Sequence, residues 1–192
     1  GDDAATDIVA GRGNFYVVGY LTSNNNTNAF LRKIDASGRL IWRKGWGGEG
    51  DDRALGVSFL NNFIYVTGFD TYQGNKVRGF VRKYRINGDL VWSYSVPGTE
   101  NNKLLDVAGA GNFIYVAGFT SVGGSSLRNR PIIRKLNINN GREELVITFD
   151  SSIMGSSKWN KIHVGGGGIY VTGNYNFGNI STAIVAKYNA RG

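Results

Sequence analysis

Near-continuous apolar runs recur at four places, residues 15–18, 63–66, 113–116 and 169–171, and each leads into the same tetrapeptide pattern. Tyr, Val, a variable residue and Gly occupy 16–19, 65–68, 115–118 and 170–173, at spacings of 49, 50 and 55. A fixed period near fifty marks a repeated supersecondary unit. No segment shows the 3.6-residue period of a helix; the chain between Gly, Asn and Ser breaks reads as short strands. In the second unit, strands are expected over 54–59, 63–69, 79–84 and 90–95, with tight turns at Asn61-Asn62 and Asn87-Gly88. The Asn-Gly pair suits a two-residue hairpin, whose central positions both need positive φ. Ser37-Gly38 and Asn140-Gly141 are its equivalents in the first and third units.

Four antiparallel strands per fifty residues make the blade of a β-propeller, so an all-β propeller of four blades is expected. The units are 1–49, 50–100, 101–152 and 153–192, forming a single domain over 1–192. Middle strands packed on both faces should be apolar throughout, as these are. The first strands carry small residues (Ala4, Ala5, Ala54, Gly56, Ala108, Gly109), as strands crowding a central axis should. A two-sheet sandwich is the rival architecture, but it does not require the period. The fourth unit stops after its third strand, so the last blade is incomplete. A closed or nearly closed four-bladed ring is the favoured form. A larger propeller, or a homo-oligomer in which a partner chain adds the missing strand by edge pairing, are the alternatives.

The second unit carries Gly50, Asp51 and Asp52, then 64–68, Phe80 to Tyr84, Asn87-Gly88, and Leu90, Val91 and Trp92. These positions resemble the SBBP-type β-propeller repeat of bacterial and archaeal secreted and cell-surface proteins. The first unit matches through 30–34, Asp35, Ser37-Gly38 and 40–42. The third loses the Trp (145–147) and the acidic pair. The resemblance implies a propeller at the cell surface or outside the cell. It implies no shared catalytic residues.

Composition narrows the picture. The 22 Lys and Arg against 14 Asp and Glu leave a formal charge of +8, and there is no cysteine. Disulfides, thiolate metal sites and cysteine nucleophiles are therefore excluded. No apolar run approaches the ~20 residues of a membrane span. The chain opens Gly1, Asp2, Asp3 without an initiator Met or signal peptide, so it reads as a processed product or a chosen segment.

Blade geometry sorts the connections onto two faces. One set is minimal, whereas the other is expected to hold long loops at 20–28, 69–78, 119–130 and 174–182, joined by 46–52, 97–102 and 151–158. Variable loops on a rigid scaffold are where binding residues collect. The expected ligand-binding residues on this face are Tyr20, Phe69, Tyr72, Phe119, Tyr175 and Trp46, with Phe177 and Trp159 nearby. Aromatics beside Asn, Gln and Ser suit a protein or polysaccharide partner at the cell surface. The Arg-Lys pairs 32–33, 82–83 and 134–135, with Lys187, look like a nucleic-acid stripe. Neighbouring strand residues point to opposite faces, however, so a structural role and no specific nucleic acid are expected. The acidic pairs 2–3 and 51–52 lack the six to eight oxygens calcium needs and are read as acceptors of backbone amides. Asp7 and Asp106 occupy matching first-strand positions, lining a channel mouth or pairing with lysine. His163, the sole histidine, shows no partner for a triad and is read as structural. The triplets at 25–27 and 179–181 fit glycosylation acceptors. No catalytic residue, metal or cofactor is expected. The leading expectation is thus a non-enzymatic extracellular propeller binding a macromolecule. A carbohydrate-binding propeller and a polysaccharide lyase or hydrolase are the alternatives.

Overall fold

A computed structural model of the chain describes residues 2–72, 74, 76–122, 128–149, 155–177 and 180–189, with Phe177 described by its backbone alone. The Phe177 ring, Asn179 and residues 151–154, all named above, lie outside this description.

The described residues form four antiparallel sheets in chain order. The first holds β1 (Ala4–Gly11), β2 (Asn14–Ser23), β3 (Asn26–Asp35) and β4 (Leu40–Trp46). In the second are β5 (Arg53–Leu60), β6 (Phe63–Tyr72), β7 (Lys76–Arg85) and β8 (Leu90–Ser95). The third comprises β9 (Asn102–Ala110), β10 (Phe113–Val122), β11 (Arg128–Asn137) and β12 (Glu143–Thr148). Three strands make the fourth: β13 (Ser156–Gly165), β14 (Gly168–Phe177) and β15 (Ile180–Asn189). The all-β propeller architecture with a three-stranded last blade stands as expected.

Alternation explains why the middle strands are apolar throughout. Ile64 and Val66 of β6 pack toward the first blade with Tyr16, Leu31 and Val57. Tyr65, between them, turns the other way and packs with Leu104, Val107 and Val116 of the third blade. Tyr115 and Ala117 meet Trp159, Ile169 and Val171 of the fourth. The middle strands of the second and third blades, β6 and β10, thus each serve two cores, and those of the end blades, β2 and β14, serve one.

The cores number three among the described residues, one for each consecutive pair of blades. Inner strands β1 and β5, β5 and β9, and β9 and β13 pack together, but no packing of like extent joins β1 to β13. The expected closure is corrected accordingly: the four blades form an open arc. Ile8 and Phe15 on the first blade are 58% and 39% exposed, and Val185 on the fourth is 73% exposed, as unpaired end faces require.

The repeated glycine has a geometric cause. Each inner strand bulges by one residue, at Thr6, Leu55, Leu105 and Asn160, which have no partner in the register. Beside each bulge, a Cβ on Gly19, Gly68, Gly118 or Gly173 would enter the carbonyl oxygen of Ala4, Arg53, Lys103 or Lys158. Only glycine admits that approach.

Consecutive blades are latched through backbone carbonyls. Lys33 Nζ and Trp42 Nε1 donate to the Ile86 carbonyl at 3.4 and 3.3 Å. Lys83 Nζ and Trp92 Nε1 donate to the Ile138 carbonyl at 2.6 and 3.1 Å. Lys83 also lies over the Phe63 ring at 3.8 Å, and its repeat equivalent Lys135 lies over Phe113 at 4.1 Å. Lys187 lies 5.4 Å from the Tyr170 ring. Their repeat is a scaffold feature.

Turn chemistry departs from expectation in two respects. Asn61 and Asn62 both have positive φ, 51° and 64°, as a two-residue hairpin needs. At Asn87-Gly88 only the glycine does (φ 90°). That reversal is longer, closed by Gly88 N–H to the Arg85 carbonyl and Arg85 N–H to the Asp89 carbonyl. In the first blade the equivalent turn is organised by Asp35, which accepts from Ser37 Oγ–H at 2.6 Å and from the amides of Ser37 and Arg39 at 3.0 Å. These bonds, the Ser37 hydroxyl foremost, hold its carboxyl down to about 2. The folded value lies below the unfolded one, so its contribution is full above pH 3.8 and lost as pH falls toward 2. Asp35→Asn should therefore lower the melting temperature at pH 7, with the gap to the parent closing between pH 4 and 2. Thermal melts across that range check this.

Candidate functional site

The connections expected as long loops are mostly strand. β2 and β3 reverse through Asn24 and Asn25 alone, both at positive φ (51° and 61°), so each strand runs ten residues. Asparagine tolerates the left-handed conformation, which compresses the reversal to two residues. Tyr20, Phe69, Tyr72, Phe119 and Tyr175 consequently sit on β2, β6, β6, β10 and β14 rather than on loops.

Most of these rings are already engaged. The Arg53 guanidinium lies 4.2 Å from the Tyr20 ring centre, Lys103 Nζ 3.9 Å from Phe69, and Arg78 4.5 Å from Tyr72. Phe69 is 3% exposed. Trp46 packs between the first two blades, edge-on to Phe80 and against Tyr84 at ring separations of 5.9 Å. Trp159, expected near the rim, is fully buried in the third core. Alternation, not proximity to a loop, decides these placements. Tyr175 is half-buried opposite Ser157 on β13.

Phe119 differs. With Asn129 of β11 and Ser156, Ser157 and Lys158 of β13, it lines a pocket of about 180 Å³ between the third and fourth blades. Asn174 and Asn176 of β14 complete the wall. Among the described residues, the lining holds one ring, one cation and amide or hydroxyl groups, with no carboxylate. Ser157 is 3% exposed, and its buried Oγ has no hydrogen-bond partner. Ser121 Oγ–H holds the Asn129 amide oxygen at 2.8 Å, leaving the amide nitrogen as the end available to a ligand. Asn160 and Asn174 are linked at 3.3 Å, which braces that side. Buried hydroxyls ordinarily find partners; among the described residues this one lacks a partner, in a residue at the pocket wall.

The acidic candidates from the sequence serve the scaffold. Asp52 is buried and accepts the amides of Gly48 (2.7 Å) and Thr71 (2.8 Å), and Asp3 accepts that of Thr22 at 2.8 Å. Asp7 accepts the Val57 amide at 2.8 Å, and Asp106 accepts the Ile162 amide at 2.9 Å while facing Lys161 at 3.6 Å. Burial raises the Asp106 carboxyl above its ordinary range, opposed by the Ile162 amide and Lys161. Both aspartates clamp neighbouring blades. His163 is exposed on β13 opposite Tyr170. Among the described residues, no group of three or more His, Asp or Glu is placed to hold a metal ion, and no helix is long and apolar enough to cross a membrane.

Sequence reading missed Ser157, Lys158 and Asn174 as a set. The available signal was register: Arg53, Lys103 and Lys158 each stand twelve residues before the repeat tyrosine.

No family model matches the chain, and no curated protein sequence does. Solved β-propeller structures do match it. A quinohemoprotein alcohol dehydrogenase from Comamonas testosteroni superposes at TM-score 0.59 and 14% identity, over 93% of this chain and 31% of that one. A β-1,2-mannobiose phosphorylase from Listeria innocua gives 0.57 and 7%, over 96% and 57%. An α-L-arabinofuranosidase from Clostridium thermocellum gives 0.53 and 16%, over 96% and 68%. The chain thus spans from about a third to two thirds of the length of these structures, and the likeness is one of fold. It corrects the expectation of a non-enzymatic protein: enzymes, glycoside hydrolases among them, share this blade arrangement, so the architecture gives no ground for excluding catalysis.

Proposed function

We propose that this propeller binds carbohydrate, through the pocket between its third and fourth blades. The observation that carries the reading is the buried, unpartnered Ser157 hydroxyl beside the Phe119 ring and the amides of Asn129, Asn174 and Asn176. A sugar ring presents an apolar face to an aromatic and hydroxyls to amides, and this lining offers both. The volume suits a single sugar unit, with the rest of an oligosaccharide lying outside. Solved structures of like fold lend support, since one is a phosphorylase in complex with β-1,2-mannobiose and another an α-L-arabinofuranosidase. An extracellular or cell-surface setting, which the repeat resemblance implies, is where such a protein would meet polysaccharide.

Calorimetric titration with mannose, arabinose and galacturonic acid oligosaccharides tests the reading, with reducing-end release followed in the same samples. Ser157→Ala is the informative variant. Removing an unpaired buried hydroxyl should leave the melting temperature unchanged or higher. Affinity should fall roughly tenfold, the equivalent of one good hydrogen bond lost to the ligand. Phe119→Ala should weaken binding at least as much, while Tyr72→Ala should not. No binding of any sugar, or affinity indifferent to both Ser157 and Phe119, contradicts the proposal.

A further inference from the structure

An aromatic of one blade and a cation of the next occupy equivalent positions at all three blade junctions. The couples are Tyr20 with Arg53, Phe69 with Lys103, and Phe119 with Lys158. Each cation stands at the residue whose carbonyl presses against the repeat glycine, so the bulge fixes its place on the inner strand. At the first two junctions the couple is closed: the charged group lies on the ring, at 4.2 and 3.9 Å. Arg53 is also held by Asp51 at 2.6 Å. Lys103 is desolvated, which lowers its pKa; the charge of Asp51 opposes that shift, and those of Arg53 and Lys158 add to it. At the third junction the couple is open. Phe119 on β10 and Lys158 on β13 both line the pocket, and no cation-ring contact joins them. Lys158 has no carboxylate partner among the described residues, and none lines the pocket. A repeat position whose cation elsewhere lies on a ring is here uncovered and lines a cavity.

Resting on the carbohydrate reading, we infer that the pocket selects a sugar bearing an anionic substituent, a carboxylate or sulfate, which Lys158 pairs while Phe119 takes the ring face. The unpartnered Ser157 hydroxyl, in the same pocket wall, would supply a further donor.

The test compares trigalacturonic acid with its methyl ester, and a dextran sulfate oligomer with dextran, at fixed ionic strength. The parent protein should bind the acid form roughly tenfold tighter than the neutral form in at least one arm, the scale of a charge-assisted hydrogen bond. The arm that shows the preference identifies the anion. Lys158→Gln should equalise acid and neutral forms. Lys44→Gln removes the same charge from the exposed outer strand β4 and should keep the preference. Equal binding of acid and neutral forms in both arms, with Phe119→Ala still weakening both, overturns the anion inference and leaves the carbohydrate reading standing. A preference lost equally in Lys44→Gln reduces it to attraction by the net charge and overturns the inference. Absence of binding by any form, in parent and variants alike, removes both.

Discussion

Gly118→Ala should destabilise the protein by about 3 kcal/mol or more, at the upper end of what overpacking costs. In a chain of this size that is a drop of about 6–12 °C in melting temperature. The added Cβ would overlap the Lys103 carbonyl oxygen, which belongs to backbone pinned by the bulge at Leu105 and by pairing to β10. No side chain can rotate to relieve the clash. Gly48→Ala is the matched control, because a Cβ there meets nothing within 4 Å. Its effect should stay within about 0.5 kcal/mol. Denaturant melts of the two variants check this directly; equal stabilities would mean that the repeat glycine is retained for some reason other than the bulge.

Trp92→Ala should cost about 3 kcal/mol, the lower range for removing a large aromatic from a packed junction. Its ring packs on Tyr65 at 6.1 Å and lies against Gly141, where a Cβ would come within 2.9 Å of it. Its N–H supplies one of the two donors to the Ile138 carbonyl. Trp92→Phe keeps a ring and loses the donor, so about 1 kcal/mol is expected. Leu145 stands at the same register in the third blade, paired with Lys135 as Trp92 is with Lys83. Leu145→Ala should be milder than Trp92→Ala. An equal cost would assign the effect to general strand packing and not to the latch.

The fold was largely legible because its signal is periodic. Tyr16, Tyr65, Tyr115 and Tyr170 register four units, and uninterrupted apolar middle strands imply neighbours on both faces. Closure was not legible, since nothing in a repeat count says whether the last blade meets the first; the three cores and the exposed Ile8 and Val185 say it does not. Loop lengths were overread. Segments rich in Asn and Ser look like loops, but Asn24 and Asn25 at positive φ turn the chain in two residues and let Tyr20 remain in a strand. Of the proposed site, the aromatic pattern points to Phe119. Its neighbours Ser157 and Lys158 carry no sequence signal until register aligns Lys158 with Arg53 and Lys103.

The central claim is that ligand enters between the third and fourth blades, and backbone amide shifts during an oligosaccharide titration test it most directly. The account predicts perturbations concentrated at Phe119, Asn129, Ser157, Lys158 and Asn174, saturating together. Perturbations centred instead on the opposite face, around Asn87 and Asn140, or spread evenly over the basic surface, would contradict it.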